Sequence, residues 1–152
     1  MQMKDVIISV TGMQETPEGP DSTELVTAGV YGYSPEEITM SWQESELTGL
    51  EGTKTTLSLK NGTATLTREG ALNSTMEFRE GERNFFLYET PFGSATMGLN
   101  TRRMRSNLNV HGGEMLVEYV IDWDESIVGR NRFYIRVQEP KKSHTGDIRW
   151  PI

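Results

Sequence analysis

Thr55-Thr56-Leu57-Ser58-Leu59-Lys60-Asn61-Gly62-Thr63-Ala64-Thr65-Leu66-Thr67 is two alternating runs joined by Asn-Gly. That dipeptide suits a two-residue type I′ turn, in which both central residues need positive φ. A two-residue turn fixes the pairing: Lys60 faces Thr63, Leu59 faces Ala64 and Leu57 faces Leu66. The aliphatic partners then share one face and the threonines the other, as a half-buried antiparallel sheet requires. A slip of one residue would destroy that agreement, so turn and pattern support one register.

The alternation recurs on both sides of this hairpin. Upstream, Val6, Ile8 and Val10 share a parity. Leu25 to Tyr33 follows, with Val26, Ala28 and Val30 on one face and Gly29 and Gly32 marking a bend or a close backbone approach. Ile38, Met40 and Trp42 give a third strand. Downstream, Met76 and Phe78 run to Gly81-Glu82. Taken as the tight turn, that pair sets Phe78 opposite Phe85 and Met76 opposite Leu87. Met97 and Leu99 begin a long strand that passes through Arg102, Arg103 and Arg105 towards Leu108. Met115, Val117, Tyr119, Ile121 and Trp123 alternate next, then Phe133, Ile135 and Val137. No stripe of helical period intervenes. About ten strands joined by short turns predict an all-β, single antiparallel up-and-down meander barrel with little or no helix, because so many strands must close or split into two sheets. The expected barrel domain covers residues 1–139, followed by a polar tail over 140–152.

Composition narrows the function classes. The 152 residues suit one domain with a core of its own. With no cysteine, disulfides and thiolate chemistry are excluded and a cytoplasmic home is expected. The N-terminus lacks the length and cleavage pattern of a signal peptide, and no run approaches a membrane helix. A net charge of −7 argues against a nucleic-acid partner. The charge is uneven: between Lys4 and Lys54 there are ten Asp or Glu and no Lys or Arg, while Arg102, Arg103 and Arg105 lie close together. A solubilising acidic surface is the plainest account.

Several short motifs fall in a recognisable order. They are Ala28-Gly-Val-Tyr-Gly, Trp42-Gln-Glu44, Thr48-Gly49, Arg68-Glu-Gly70, Met76-Glu-Phe78, Tyr88-Glu-Thr90-Pro-Phe-Gly93 and Gly113-Glu-Met-Leu-Val-Glu-Tyr119. Over roughly residues 4–138 the chain resembles the YwiB-like family, uncharacterised bacterial β-barrels of the calycin or lipocalin-like type. The resemblance implies a ten-stranded calycin-like barrel and a bacterial cytosolic setting. It brings no activity and no site residues.

Barrels of that type commonly hold a small apolar or amphipathic molecule. By parity the lining includes Met40, Trp42, Met76, Phe78, Phe85, Leu87, Met97, Leu99, Tyr119 and Trp123. Met and aromatic side chains suit a deformable cavity and suit a filled core equally. If the Met97-Leu99-Thr101 row keeps its parity, Arg103 and Arg105 also point inward, where a guanidinium would grip a carboxylate or phosphate. The competing and preferred reading is a bulge near Asn100–Arg102, or a strand end projecting beyond the barrel, with all three arginines solvated or paired to nearby Glu. His111, His144 and the carboxylates of Asp122-Trp-Asp124-Glu125 lack the spacing of a metal site. No phosphate loop, nucleophile elbow or metalloprotease motif is present, and no cofactor is expected. The leading expectation is a non-enzymatic binding barrel for a small apolar or amphipathic ligand, with an anionic head if an arginine lines it. The alternative is a filled barrel that acts through its surface, by the acidic 15–51 region, the Trp150-Pro-Ile tail or a homodimer. An enzyme ranks third. A titratable cluster inside the barrel, such as Arg103 with Glu44 and Tyr119, would revive it.

Overall fold

The computed structural model describes residues 1–71 and 73–140. The strands are β1 (Met3–Thr16), β2 (Gly19–Tyr33), β3 (Glu37–Gln43), β4 (Thr53–Lys60), β5 (Thr63–Gly70), β6 (Ser74–Phe78), β7 (Arg83–Thr90), β8 (Gly93–Ser106), β9 (Gly113–Trp123) and β10 (Ser126–Gln138). Among the described residues a single 3-10 turn, Glu46–Thr48, interrupts them. All ten join one antiparallel sheet in the order β6-β5-β4-β3-β2-β1-β10-β9-β8-β7. The expected up-and-down meander barrel is present. The expected tail, past Pro140, lies outside the described residues.

The Asn61-Gly62 hairpin has the pairing its sequence dictates. Lys60 pairs with Thr63, Leu59 with Ala64 and Leu57 with Leu66. Both turn residues have positive φ, 52° at Asn61 and 77° at Gly62. A second two-residue turn, Asp124-Glu125, also has positive φ at both positions and joins β9 to β10.

The ladder does not open between the chain ends. β1 pairs with β10 from Ile7↔Gln138 to Glu15↔Arg130. The seam lies instead within the β6–β7 hairpin. There a single bridge, Asn73↔Glu89, joins the edges, with an Asn84 Nδ2 to Glu77 carbonyl contact of 3.4 Å. The turn between these strands folds over β8. The Gly81 N–H donates to Thr101 O, the Thr101 N–H donates to Glu82 O, and the Glu80 carboxylate accepts the Met104 N–H at 2.7 Å. These contacts satisfy β8 beyond the end of β7, where its edge groups would otherwise lack partners.

The interior is filled through its middle. Ile8, Tyr31, Met40, Leu57, Phe78, Leu99, Met115 and Ile135 are fully buried. Phe78, Tyr119 and Phe133 meet edge to face, with centroids 4.9, 5.4 and 6.1 Å apart. On β2 the core face is Leu25, Gly29 and Tyr31, so the Val26 row lies on the outside. Gly29 marks the close approach that its sequence position predicts. A Cβ there would lie 2.6 Å from the Ser41 carbonyl oxygen and collide with Ile8.

Candidate functional site

The predicted lining divides in two. Met40, Trp42, Met76, Phe78 and Leu99 are buried, and Met97 and Tyr119 pack against them. Phe85, Leu87 and Trp123 are exposed, which corrects the inward orientation expected for them, and Arg103 and Arg105 are exposed as the preferred bulge reading has it, so the candidate lining loses them too.

Each correction has a local cause. The β6–β7 turn centres on Glu80-Gly81, closed by the Glu82 N–H to Arg79 O bond. Gly81 takes φ 83° at the third turn position, where a type II turn needs it. That turn alone would carry the pairing on to Asn73 with Tyr88, whereas the bridge joins Asn73 to Glu89, so one extra residue lies on the β7 side between turn and bridge. That one-residue slip exchanges the faces of β7, turning Phe86 inward and leaving Phe85 67% exposed. On β8 a bulge between Thr101 and Arg103 adds one residue against β9. Thr101 is buried before it and Met104 packs inward after it, so Arg103 and Arg105 project into solvent. Trp123 has inward parity but closes β9 at the Asp124-Glu125 turn and is 58% exposed at the barrel end.

The inward arginine is Arg68. It continues the Ala64-Leu66 row of β5 and lies in one cross-strand row with Trp42 and Thr55. Trp42 and Arg68 of this row form one wall of a cavity of about 240 Å³ at the upper mouth, the end that holds the β1–β2 and β9–β10 turns. Tyr119 and Phe133 contribute the floor, and Val10, Leu25 and Leu66 add apolar surface.

The polar groups here are unequally satisfied. Glu44, just past β3, accepts Trp42 Nε1 at 3.0 Å, Thr55 Oγ1 at 2.6 Å and Thr48 Oγ1 at 3.0 Å. Its carboxylate is fixed by three donors. Arg68 Nε and Asn131 Nδ2 are buried without a hydrogen-bond partner, and both residues line the cavity. Among the described residues Arg68 has no ion pair. Burial pushes the Tyr119 phenol above its ordinary range, with the Arg68 charge pulling the other way. Tyr119 is therefore a neutral O–H donor at ordinary pH. The arrangement can bind and orient an acceptor. The grouping expected around Arg103 forms around Arg68, with a carboxylate already saturated and a phenol that holds its proton. The signal for Arg68 was available: extending the Leu57-Leu59-Ala64-Leu66 parity by one step reaches it.

A second opening of about 440 Å³ lies at the lower end, between Tyr33, Ile38, Leu59, Met104, Leu108 and Met115. None of the buried unpartnered atoms belongs to its lining. Among the described residues no three His, Asp or Glu gather as a metal would need. His111 is exposed, 3.4 Å from Glu139, and His144 lies outside the described residues.

No curated protein matches the chain. The structure of the ywiB protein from Bacillus subtilis superposes with a TM-score of 0.81 at 19% identity, over 93% of this chain and 95% of that one, a likeness of fold. The model of a domain of unknown function, DUF1934, matches residues 8–135. Spanning the sheet from β1 into β10, that match makes the chain a member of the DUF1934 family, a YwiB-like barrel.

Proposed function

We propose that the protein is a non-enzymatic binding barrel for a small amphipathic anion, held in the upper mouth with its acidic group on Arg68. One observation carries this reading: two buried N–H donors, Arg68 Nε and Asn131 Nδ2, line one cavity and have no partner among the described residues. Buried donors cost free energy unless an acceptor meets them. A carboxylate or phosphate is an acceptor with the charge to match a guanidinium. The apolar wall from Val10, Leu25 and Leu66 and the aromatic floor suit a short hydrocarbon or aromatic tail.

The ligand is small. The Phe78-Tyr119-Phe133 cluster closes the floor, and about 240 Å³ lies below the usual range of drug-sized sites. A short tail fills this inner cavity, and any longer part of a ligand would lie in the wider concavity that shares Met13, Asp21, Tyr119 and Asn131 with it.

Native mass spectrometry of protein purified from cells, followed by calorimetry with a panel of short carboxylates and phosphates, tests the reading. Wild-type protein is expected to bind at least one member, and Arg68→Gln to weaken it about tenfold or more. An interior that carries no ligand from cells and takes none from the panel would overturn it. So would affinity unchanged by Arg68→Gln.

A further inference from the structure

The outer face of β8, β9 and β10 gathers positive charge on a chain whose net charge is −7. On β8, Arg102, Arg103 and Arg105 are exposed, and on β10 so are Arg130, Arg132 and Arg136. β9 runs between the two strands with Glu114, Leu116, Glu118 and Val120 facing outward, half-buried. The register places Arg103, Glu118 and Arg132 in one row, and Arg105, Leu116 and Tyr134 in the next. Six arginines thus face two glutamates and Asp122 on these three strands, and Asp122 is already held by Arg83. Arg132 pairs with Glu118 at 3.6 Å and Arg105 with Glu80 at 2.9 Å. Among the described residues Arg102, Arg103, Arg130 and Arg136 have no ion-pair partner. A concavity of about 850 Å³ adjoins the upper part of this face and includes Arg102, Glu118, Val120, Arg130 and Arg132.

The spacing defines what fits. Neighbouring strands lie about 4.8 Å apart, so the arginine columns on β8 and β10 stand roughly 10 Å apart with β9 as the furrow. Along each column, same-face residues repeat about every 6.7 Å. Any extended polypeptide has that same repeat, so carboxylates at alternate positions stay in step with the arginines along the furrow. Guanidinium groups match carboxylates in two-point geometry. The match of repeat favours a polypeptide, and nucleic acid, which the same arginines would attract, is tested beside it.

We infer that this furrow docks an extended acidic segment of a partner protein, with alternate carboxylates held by Arg103, Arg130 and Arg132. Arg132 lines the mouth as well as the furrow, whereas Arg103 and Arg130 lie clear of the mouth cavity, so their substitution separates the two sites.

Fluorescence anisotropy with a labelled peptide of alternating Glu and Val tests it, beside an alternating Lys-Val peptide and a single-stranded RNA of similar length. The Glu-Val peptide is expected to bind alone among the three, weakening about tenfold on moving from low salt to roughly 0.3 M. Arg103→Gln with Arg132→Gln should weaken it about tenfold further while circular dichroism stays unchanged. Arg130→Gln, made singly and checked the same way, should lower affinity in the same direction, and Lys54→Gln on the distant β4 should leave it alone. Absence of Glu-Val binding, equal binding of Lys-Val, tighter binding of RNA, or indifference to the arginine substitutions would each overturn the inference.

Discussion

Arg83 and Asp122 hold each other across β8 over a residue with no side chain. Arg83 Nη2 donates to Asp122 Oδ1 at 2.6 Å and Nε donates to Oδ2 at 3.1 Å. Gly98 pairs with Phe85 on one side and with Asp122 on the other, and a Cβ on it would collide with Arg83 Nη2 and both Asp122 oxygens. Gly98→Ala should therefore unseat the pair. Because both partners are flexible side-chain ends and Arg83 is partly exposed, the expected cost is modest. Asp122→Asn should cost about the same, and the double substitution less than the sum. Urea unfolding of the four proteins closes that cycle, and strict additivity would show that the glycine and the ion pair are unrelated.

Acid should weaken the fold through a few identifiable carboxyls. The hydrogen bond from Arg83 holds Asp122 below its ordinary pKa. The Met104 N–H and Arg105 do so for Glu80, and Lys4 for Glu139. A carboxyl whose folded pKa is depressed contributes stability above its unfolded value, near 4, and loses it as pH falls through the folded value. The urea midpoint is expected to fall steadily from pH 5 to pH 2. Asp122→Asn should start lower at pH 5 and show a shallower fall.

The alkaline limb has a different owner. Burial, aided by Tyr33, pushes the Tyr31 phenol up to about 12, and its O–H donates to Asn109 O at 2.7 Å. A phenol whose folded pKa exceeds its unfolded value near 10 supports the fold below pH 10, and that support fades as pH rises towards 12. Stability should decline over that window. Tyr31→Phe should flatten part of the decline and cost about 1 kcal/mol at pH 8 for the lost hydrogen bond. Denaturant midpoints from pH 8 to pH 12 would reveal either outcome.

Arg68 sets binding against stability. An unpartnered buried N–H is a standing cost to the empty barrel, while the long side chain itself packs well. Arg68→Met keeps the bulk and removes the orphan donor. The ligand-free variant is expected to be about 1 kcal/mol more stable than wild type, while losing the anion affinity proposed for the mouth. A thermal melt with and without ligand measures both halves. If Arg68→Met instead lowers the stability of the empty barrel, the guanidinium is satisfied in the folded chain.

Most of the fold was legible because period-two alternation and turn chemistry agree along the chain. The Asn61-Gly62 hairpin is the plainest case, with both signals fixing one register. Where only one signal acts, the register stays open. Gly81 marks a turn, but nothing local marks the extra residue between that turn and the Asn73–Glu89 bridge, and that one residue exchanges Phe85 for Phe86 in the core. The Asp124-Glu125 turn carries no glycine, so nothing local marks it. The bulge between Thr101 and Arg103 follows from the cost of burying cations, and it is there. Arg68 escapes a pattern built on apolar residues, which stops at Leu66, although parity continues through a charged side chain.

The sheet order has a consequence for motion. Residues 3–78 form six consecutive strands, residues 83–138 form four, and the two leaves share a spine where β1 meets β10. Opposite that spine, the free margins touch through one bridge and a few turn contacts. The molecule is thus a folded sheet of paper with its crease at the chain ends and its open margin at a hairpin. Widening the interior means lifting that margin, which disturbs no regular ladder. The amides of β6 and β7 are accordingly the first expected to exchange with solvent, while those of β1 and β10 hold the crease shut.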